Sequence, residues 1–224
     1  MSSLIPVTLA GRHVRLEPLS LAHVEGLVVA ANGPRETYAW TWVPAGALET
    51  TRYVETALAE QAASRALPFA TVDRKTDDIV GSTRFGNIEF WDWPDGNPHQ
   101  RGRHLPDAVE IGWTWLAAPA QRTAINTEAK LLMVAHAFDT WRVHRVTLHT
   151  DFRNVRSQQA IERLGAKRDG ILRAHMPGSD GTIRDTVCYS ILEVEWPAVK
   201  ASLLERLARR SRPRHYVDPA AFVL

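Results

Sequence analysis

The segment from Ala117 to Phe138 runs from a strand end through a short polar loop into a long helix, an order typical of anion-binding turns. The first amides of a helix lack partners within the helix, and the helix dipole favours negative charge at that end. Loops that cradle phosphate usually contain glycine, because glycine lets the backbone approach closely. This segment contains none. It therefore predicts either a phosphate site or a plain strand-to-helix connection.

The periodicity of the apolar residues predicts the elements that position this loop. The predicted strands lie around Val14 and Leu16 and at 67–73, 79–85, 109–116, 143–150, 167–173 and 182–193. The predicted helices follow Ser20, cover 50–64, 126–141 and 154–164, and begin again at Pro197. Residues 33–46 are rich in aromatic side chains and predict a loop. Runs of antiparallel strands with a crossover helix predict a mixed α/β sheet that is covered on both sides.

The composition is that of an ordinary globular protein, with 45% hydrophobic and 23% charged residues in a chain of 224. Cys188 is the single cysteine, which excludes an internal disulfide and a multi-cysteine metal site. The first residues lack the pattern of a signal peptide, and no stretch approaches the roughly 20 apolar residues of a membrane span. We therefore expect a cytoplasmic protein that does not enter a membrane.

The net charge of +2 is too small to favour nucleic acid as a partner. Basic residues do concentrate near the end of the chain, at Arg206, Arg209, Arg210, Arg212 and Arg214. Cations near a helix C-terminus complement the helix dipole, which explains the cluster without a partner. Contact with RNA or another acidic molecule is the alternative. The histidines and aspartates of residues 87–108 have an irregular spacing, so we expect no metal site there.

Two segments together resemble the core of a known family. They are VEIGWTWLAAPAQRTAINTEAKLLMVAHAF and WRVHRVTLHTDFRNVRSQQAIERLGA. They resemble the GNAT acyl-CoA N-acyltransferases, in particular the RimJ/RimL-type branch, over residues 8–195 and most densely at 109–166. The resemblance implies the GNAT fold, a mixed and mostly antiparallel central sheet with helices on both faces. It assigns 1–195 to the acetyltransferase domain, 87–108 to an inserted loop and 196–224 to a C-terminal helix and tail.

The phosphate loop of this family is written Q/R-x-x-G-x-G/A. Its positions are occupied here by Gln121, Arg122, Thr123, Ala124, Ile125 and Asn126. The resemblance implies that this loop binds the pyrophosphate of acetyl-CoA through backbone amides, with a charge-assisted contact from Arg122. Both small positions depart from the pattern. Ala124 still permits close approach if its φ is negative, and Asn126 caps helices well and tolerates unusual backbone angles.

The strand before the loop pairs with the pantetheine arm in this family, which implies main-chain contacts from Trp115, Leu116 and Ala117. Packing within the sheet is the alternative role for the two indoles of this strand. In the second segment, Asn154 and Ser157 match the N-x-x-S pattern. The resemblance implies that Asn154 contacts pantetheine or orders a water, and that Ser157 faces the CoA sulfur. A helix cap and a surface serine are the alternatives.

Acylation of an amine needs a group that removes a proton, because most amines are protonated near pH 7. Several members of the family carry a catalytic glutamate on the strand that here contains Glu110, so the resemblance implies Glu110 as the base. His149 and Glu89 are the alternative bases. A third possibility is that Glu110 has a purely structural role. We also expect the inserted loop to contribute Trp91, Trp93 and Glu89 to the substrate site, because long loops are unusual unless they are functional.

The sequence thus predicts an acetyl-CoA-dependent N-acetyltransferase that transfers an acetyl group directly to a primary amine in a ternary complex. The amine belongs either to a small molecule or to a protein N-terminus. Two alternatives remain open at this point: an acyl-CoA-binding sensor or interaction module without turnover, and a protein associated with the ribosome or RNA. A homodimer is also left open.

Overall fold

Eight strands form one sheet. They are β1 Leu9–Ala10, β2 Val14–Pro18, β3 Leu67–Asp73, β4 Ile79–Glu89, β5 Ala108–Leu116, β6 Arg145–Asp151, β7 Lys167–Pro177 and β8 Ile183–Leu192. Their order across the sheet is β1-β2-β3-β4-β5-β6-β8-β7 in this computed structural model, which describes residues 4–102 and 104–211. Within that part of the chain, adjacent strands are antiparallel except for β5 and β6, which run parallel.

Helices cover both faces of the sheet. They are α1 Val24–Ala31, α2 Gly46–Ala62, α3 Ile125–Ala135, α4 Val155–Glu162 and α5 Trp196–Ser211. Successive residues of a strand point to opposite faces, and Phe69 and Ala70 of β3 join two different apolar cores. The core around Phe69 contains Met133 of α3, and the core around Ala70 contains Val54 of α2. The predicted fold class, a mixed and mostly antiparallel sheet between two helical layers, is confirmed.

Several element boundaries differ from the sequence prediction. α2 begins at Gly46 rather than at residue 50, and β4 continues to Glu89 instead of ending at residue 85. β4 is longer because Glu89 still pairs with Ala108 of β5, and local periodicity does not contain that long-range pairing. The helix that follows the polar loop keeps α geometry only as far as Ala135, and His136–Trp141 forms a wider π turn.

Glu128 in the first turn of α3 ties this helix to the start of β2. Its carboxylate is buried and accepts hydrogen bonds from the backbone amides of Arg12 and Val14, each at 2.9 Å, and from that of His13. Gly11 packs against the same carboxylate, where a side chain would collide with it. The contact fixes the N-terminal end of α3 against the sheet and thereby positions the polar loop before it.

The strands β5 and β6 are paired over a short segment and separate beyond its C-terminal end. The parallel register ends at the pair Glu110 and Thr147. Beyond it, β5 continues along β4 to Leu116 through a bulge at Trp113, whose φ is 49°. β6 continues along β8 to Asp151. Two neighbouring strands that diverge leave main-chain groups on their facing edges without strand partners, so a cleft opens between them.

Part of the arginine-rich end lies on α5. Arg206 donates a hydrogen bond to the carbonyl of Arg163, and Arg209 lies 3.7 Å from Glu205. Both contacts are within the chain and agree with the interpretation as a solvated helix end. Arg212 and Arg214, with the rest of the tail at 212–224, lie outside the described residues.

Candidate active site

A cavity of about 760 Å³ lies where β5 and β6 separate. Volumes of roughly 300–1,000 Å³ are typical of small-molecule sites. Its walls come from both strands, the loop before α3, α4, residues 37–42 and the β7–β8 hairpin, and they include Trp113, Lys130, His149, Ser157 and Arg184. The helices α2 and α3 and the strand β4 also contribute side chains, so the cavity brings together elements that lie far apart in the chain.

Strand alternation places polar residues on the cavity face of the sheet. Residues directly opposite each other in antiparallel strands share a face, and His149 lies opposite Cys188 while Asp151 lies opposite Thr186. Successive residues alternate between the faces, so Leu148, which lies between the polar positions of β6, belongs to the apolar core. Leu148 also borders the cavity, because the cavity opens between the two separating strands.

Glu110 and His149 form a contacting carboxylate–imidazole pair on this face. Glu110 is 7% exposed, and its Oε2 accepts a hydrogen bond from Asn87 Nδ2 at 2.7 Å. His149 Nδ1 lies 3.0 Å from the same oxygen. The side chain of His149 is 24% exposed and that of Glu110 only 9%, so the imidazole presents its other nitrogen to the cavity. An imidazole can accept a proton, and a carboxylate beside it can balance the positive charge that the ring then carries.

The start of α3 forms another wall of the cavity. Gln121, Arg122 and Asn126 line it from the loop and the first helical turn, and Arg156 lines it from α4. Arg122 adopts the left-handed conformation with φ of 61°, a backbone angle for which glycine is usually selected. Ala124 has a φ of −72°, the negative value that permits close approach. Asn126 lies inside α3 and does not cap it.

A family model described as the acetyltransferase (GNAT) domain matches residues 13–167. The chain belongs to the GNAT acetyltransferase family. It is therefore an enzyme of the acyltransferase class, and the acetyl donor of this family is acetyl-CoA. Among curated proteins, none matches the chain.

Solved structures agree with membership of the GNAT family. A protein from T. thermophilus that is described as an acetyltransferase is 34% identical, with a TM-score of 0.71 over 91% of this chain and 98% of its own. A GCN5-related N-acetyltransferase from Brucella melitensis is 27% identical, with a TM-score of 0.78 over 94% of this chain and 89% of its own. RimJ of Mycobacterium smegmatis, solved with CoA-disulfide, is 20% identical, with a TM-score of 0.70 over 92% and 97%. At that identity RimJ shows only the shared fold, so the GNAT family is established and the RimJ/RimL branch is not.

Three of the six residues of the predicted phosphate loop do not line the cavity between β5 and β6. They are Thr123, Ala124 and Ile125. Thr123 Oγ1 donates a hydrogen bond to the carbonyl of Ala120 at 2.7 Å and accepts one from the amide of Ile125 at 3.2 Å. The Ile125 amide is therefore used inside the loop. The loop offers fewer amides to a phosphate than its sequence suggests.

At the end of β5, Trp115 and Leu116 line the cavity and Ala117 does not. The amide of Ala117 donates to the carbonyl of Val80 at 2.7 Å, and its carbonyl accepts from the amide of Ala120 at 2.9 Å. Both main-chain groups of Ala117 are thus occupied, because a short 3₁₀ turn folds back onto it. The pantetheine contact that the sequence predicts for Ala117 is not available in this structure.

Asn154 and Ser157 lie together on the cavity wall at the start of α4. Asn154 Oδ1 accepts a hydrogen bond from the amide of Ser157 at 3.0 Å, so Asn154 caps the helix. The capping role that its residue type favours is therefore present. Within the described part of the chain, the Ser157 hydroxyl makes no hydrogen bond in the structure, and it can donate into the cavity.

The inserted segment lies away from this cavity, and Trp91, Trp93 and Glu89 do not line it. Trp91 stacks on His144 with ring centroids 5.7 Å apart, and its Nε1 donates to Glu89 at 2.8 Å. Trp93 Nε1 donates to Asp107 at 2.7 Å. These contacts surround a separate cavity of about 290 Å³. The segment lies there because β4 carries the chain past the main cavity before the irregular residues begin, and its role at the substrate site stays a prediction.

Sequence reasoning missed four charged residues of the cavity, Lys130, Asp151, Arg156 and Arg184. Lys130 is buried, and its Nζ donates to Thr114 Oγ1 at 2.6 Å and to Thr83 Oγ1 at 3.2 Å. Burial lowers the pKa of Lys130 to about 7, although the charge of Glu110 acts in the opposite direction. A lysine between apolar residues of a helix was the available signal. Arg184 on β8 gave none, because an arginine in a half-exposed strand is common.

Among residues 4–102 and 104–211, no group of three or more His, Cys, Asp or Glu side chains is arranged to hold a metal ion. No helix in the same part of the chain combines the length and the apolar character needed to cross a membrane.

Proposed function

We propose that this GNAT acetyltransferase transfers the acetyl group of acetyl-CoA directly to a primary amine while both substrates are bound. The observation that supports this most strongly is the Glu110–His149 pair in the cavity between the diverging strands. A base in the same cavity as the donor site allows the amine to attack without an acyl-enzyme. The alternative of a binding module without turnover is not favoured, because such a module has no use for a base.

In this proposal His149 Nε2 accepts the proton of the incoming amine. His149 Nδ1 faces Glu110, which leaves Nε2 as the nitrogen directed away from the carboxylate. Glu110 is held by Asn87 and cannot easily reorient. It orients the ring and balances the positive charge that the ring gains. The sequence predicts Glu110 as the base. We propose instead that Glu110 and His149 act together, with His149 accepting the proton.

The residues of the donor side fit a CoA thioester. Arg122 and Arg156 can bind phosphate groups, and the edge of β5 at Trp115 and Leu116 can pair with an extended arm. When bound, acetyl-CoA supplies an acetyl group activated as a thioester. Ser157 Oγ can donate a hydrogen bond to the departing sulfur, which is the role predicted for it from the sequence.

Release of CoA thiol in the presence of a panel of amines tests this function. The panel contains amino acids, simple alkylamines, polyamines and short peptides with free N-termini, and mass spectrometry identifies the acetylated products. We expect turnover with at least one class, and a product that is acetylated on nitrogen. Binding of acetyl-CoA with no turnover across the panel would instead support the sensor.

Substitution of the pair locates the base. We expect His149→Gln to lower kcat by about 10²- to 10⁴-fold, with a loss that shrinks as pH rises because more of the amine then arrives neutral. Glu110→Gln keeps the shape of the side chain and removes its charge, so a smaller loss is expected. His99→Gln, an exposed histidine outside the cavity, is the control. A full loss in E110Q together with near wild-type rates in H149Q would identify Glu110 itself as the base.

A further inference from the structure

We propose that Arg184 binds an anionic group of the acceptor, a carboxylate or a phosphate, so that the preferred acceptors are amines that also carry a negative charge. This inference rests on the proposed function and adds the chemical class of the acceptor to it.

Arg184 is a half-buried cation that has no ion-pair partner among the described residues. It lies on β8, lines the cavity, and makes one hydrogen bond, from Nε to Thr186 Oγ1 at 3.0 Å. In the described residues no carboxylate lies within ion-pair distance of its guanidinium. Burial lowers the pKa of Arg184 from its usual value. Burying a cation is unfavourable unless it is paired, which indicates that a ligand completes the site.

The nearby carboxylates are already engaged by other groups. Asp151 accepts from Arg153 Nη2 at 2.8 Å, and the same guanidinium also binds Asp180. Glu110 Oε2 is shared by Asn87 and His149. Both carboxylates act on Arg184 through space, yet neither forms a direct pair with it. The two Nη atoms of Arg184 are therefore available to a ligand, in a planar fork that suits carboxylate or phosphate.

The orientation of this fork is fixed by its neighbours. Thr186 is fully buried and accepts from Arg184 Nε, and the same hydroxyl lies 3.0 Å from His175 Nδ1. Thr186 can therefore donate to the histidine while it accepts from the arginine. A guanidinium held at Nε loses little further freedom when it binds an anion, which favours recognition.

The acceptor side of the cavity is walled by aromatic rings. Trp40, Trp42, Tyr53 and Trp113 line it. Arg153 lies 4.0 Å from the ring centre of Trp40, and Ser179 Oγ donates to the carbonyl of Ala39 at 2.9 Å. These contacts join residues 37–42 to the loop between β6 and α4 and to the β7–β8 turn. Such walls suit a compact amine with an apolar body, and the uncompensated cation adds the requirement for a negative group.

Matched acceptor pairs test this inference. Each amino acid is compared with its amide, and ethanolamine phosphate with ethanolamine, by kcat/KM for thiol release and by product mass spectrometry. In the wild type we expect the anionic member of a pair to be preferred by about tenfold or more, the loss typical of one charged hydrogen-bond contact. The carboxylate and phosphate arms show which anion is recognised.

Arg184→Met should abolish that preference. We expect kcat/KM for the anionic acceptor to fall about 10- to 100-fold, mainly through KM, while the rate with the amide and the affinity for acetyl-CoA remain unchanged. Arg184→Lys keeps the charge and loses the fork, so an intermediate effect is expected. Arg173→Met on β7, an exposed arginine outside the cavity, is the matched control. Thermal unfolding confirms that each variant folds.

Equal rates for both members of every pair would overturn the inference, as would an R184M variant whose main defect is weaker acetyl-CoA binding. Calorimetric titration of anionic amines into the protein saturated with CoA separates this inference from the proposed function. Binding that depends on Arg184 without turnover in any arm would retain the anion site and refute the transferase. Turnover of amines without a negative group, and of no others, would support the transferase and refute the anion site.

Discussion

At the scale of single residues, Lys130 shows how the sheet changes the chemistry of a side chain. The residue enters the cavity from α3 and donates to Thr83 on β4 and Thr114 on β5. These strands shift register here, next to the bulge at Trp113. Lys130 therefore connects the helix to the irregular part of β5 that lines the cavity. Burial lowers its pKa to about 7, so near neutral pH a substantial fraction of this amine carries no charge.

We expect Lys130→Met to change how stability depends on pH. The pKa of Lys130 is about 7 in the folded protein and 10.5 for an ordinary lysine, so the unfolded chain binds more protons between these values. Wild-type stability therefore rises with pH through that window. Relative to K130M, the wild type should gain at most about 1.4 kcal/mol per pH unit. Urea unfolding of both proteins between pH 7 and pH 10 measures this gain.

Lys167→Met is the control for that experiment, because Lys167 is exposed and pairs with Glu195 at the surface. The difference in unfolding free energy between K167M and the wild type should stay constant over the same pH range. If the difference in unfolding free energy between K130M and the wild type is also independent of pH, Lys130 keeps its proton in the folded protein.

At the scale of the elements, the divergence of β5 and β6 and the loop before α3 create the site together. The parallel register ends at Glu110, which places the Glu110–His149 pair where the two strands separate. The loop then enters α3 through Arg122 in a left-handed conformation. A residue with a side chain at such an angle costs free energy that glycine avoids. The proposed phosphate contact of Arg122 is a contribution that glycine cannot make.

Arg122→Gly tests that contribution without straining the backbone, because glycine adopts a positive φ freely. We expect acetyl-CoA to bind about 3- to 10-fold more weakly, since a charge-assisted contact is lost but the side chain is exposed and screened by water. The salt dependence of binding should also weaken. Calorimetric titrations at low and high salt measure both effects.

Arg142→Gly is a closely matched control, because Arg142 is also exposed and left-handed, with φ of 59°, and lies outside the cavity. Its acetyl-CoA affinity should equal that of the wild type. If R122G binds as tightly as R142G at low salt, Arg122 does not contact the phosphates.

At the scale of the whole molecule, two apolar cores on opposite faces hold a sheet that is interrupted in its middle. The larger core includes Phe85, Met133 and Leu203, and the other includes Leu27 and Val54. The cavity thus lies between well-packed layers, and a ligand that fills it joins β5, β6, α3 and α4. Because the unfolded chain has no such site, binding stabilises the native state by mass action.

Acetyl-CoA should therefore raise the unfolding temperature. At about 100 times its dissociation constant it contributes about 2.7 kcal/mol, which for a chain of this size corresponds to roughly 5 to 10 °C. Scanning fluorimetry against ligand concentration measures the shift. R122G should need proportionally more ligand for the same shift. An unfolding temperature that is indifferent to acetyl-CoA would contradict binding at this site.

The amino-acid sequence by itself determined the elements and much of the fold. Apolar periodicity located the strands and helices to within a few residues, and the cap at Asn154 followed from its residue type, because these signals act over a few neighbouring positions. The resemblance to the GNAT family also indicated Glu110, Ser157 and the loop before α3 from residues close together in the chain.

Only the tertiary structure decided which side chains meet. The pairing of His149 with Glu110, the depth of Lys130 and the unpartnered charge of Arg184 depend on register and on the point where β5 and β6 separate. Those features arise from contacts between segments far apart in sequence, which local patterns do not encode. For the same reason the position of Trp91 and Trp93 could not be read from their composition. One extended pairing of β4 moved them to the other end of β5.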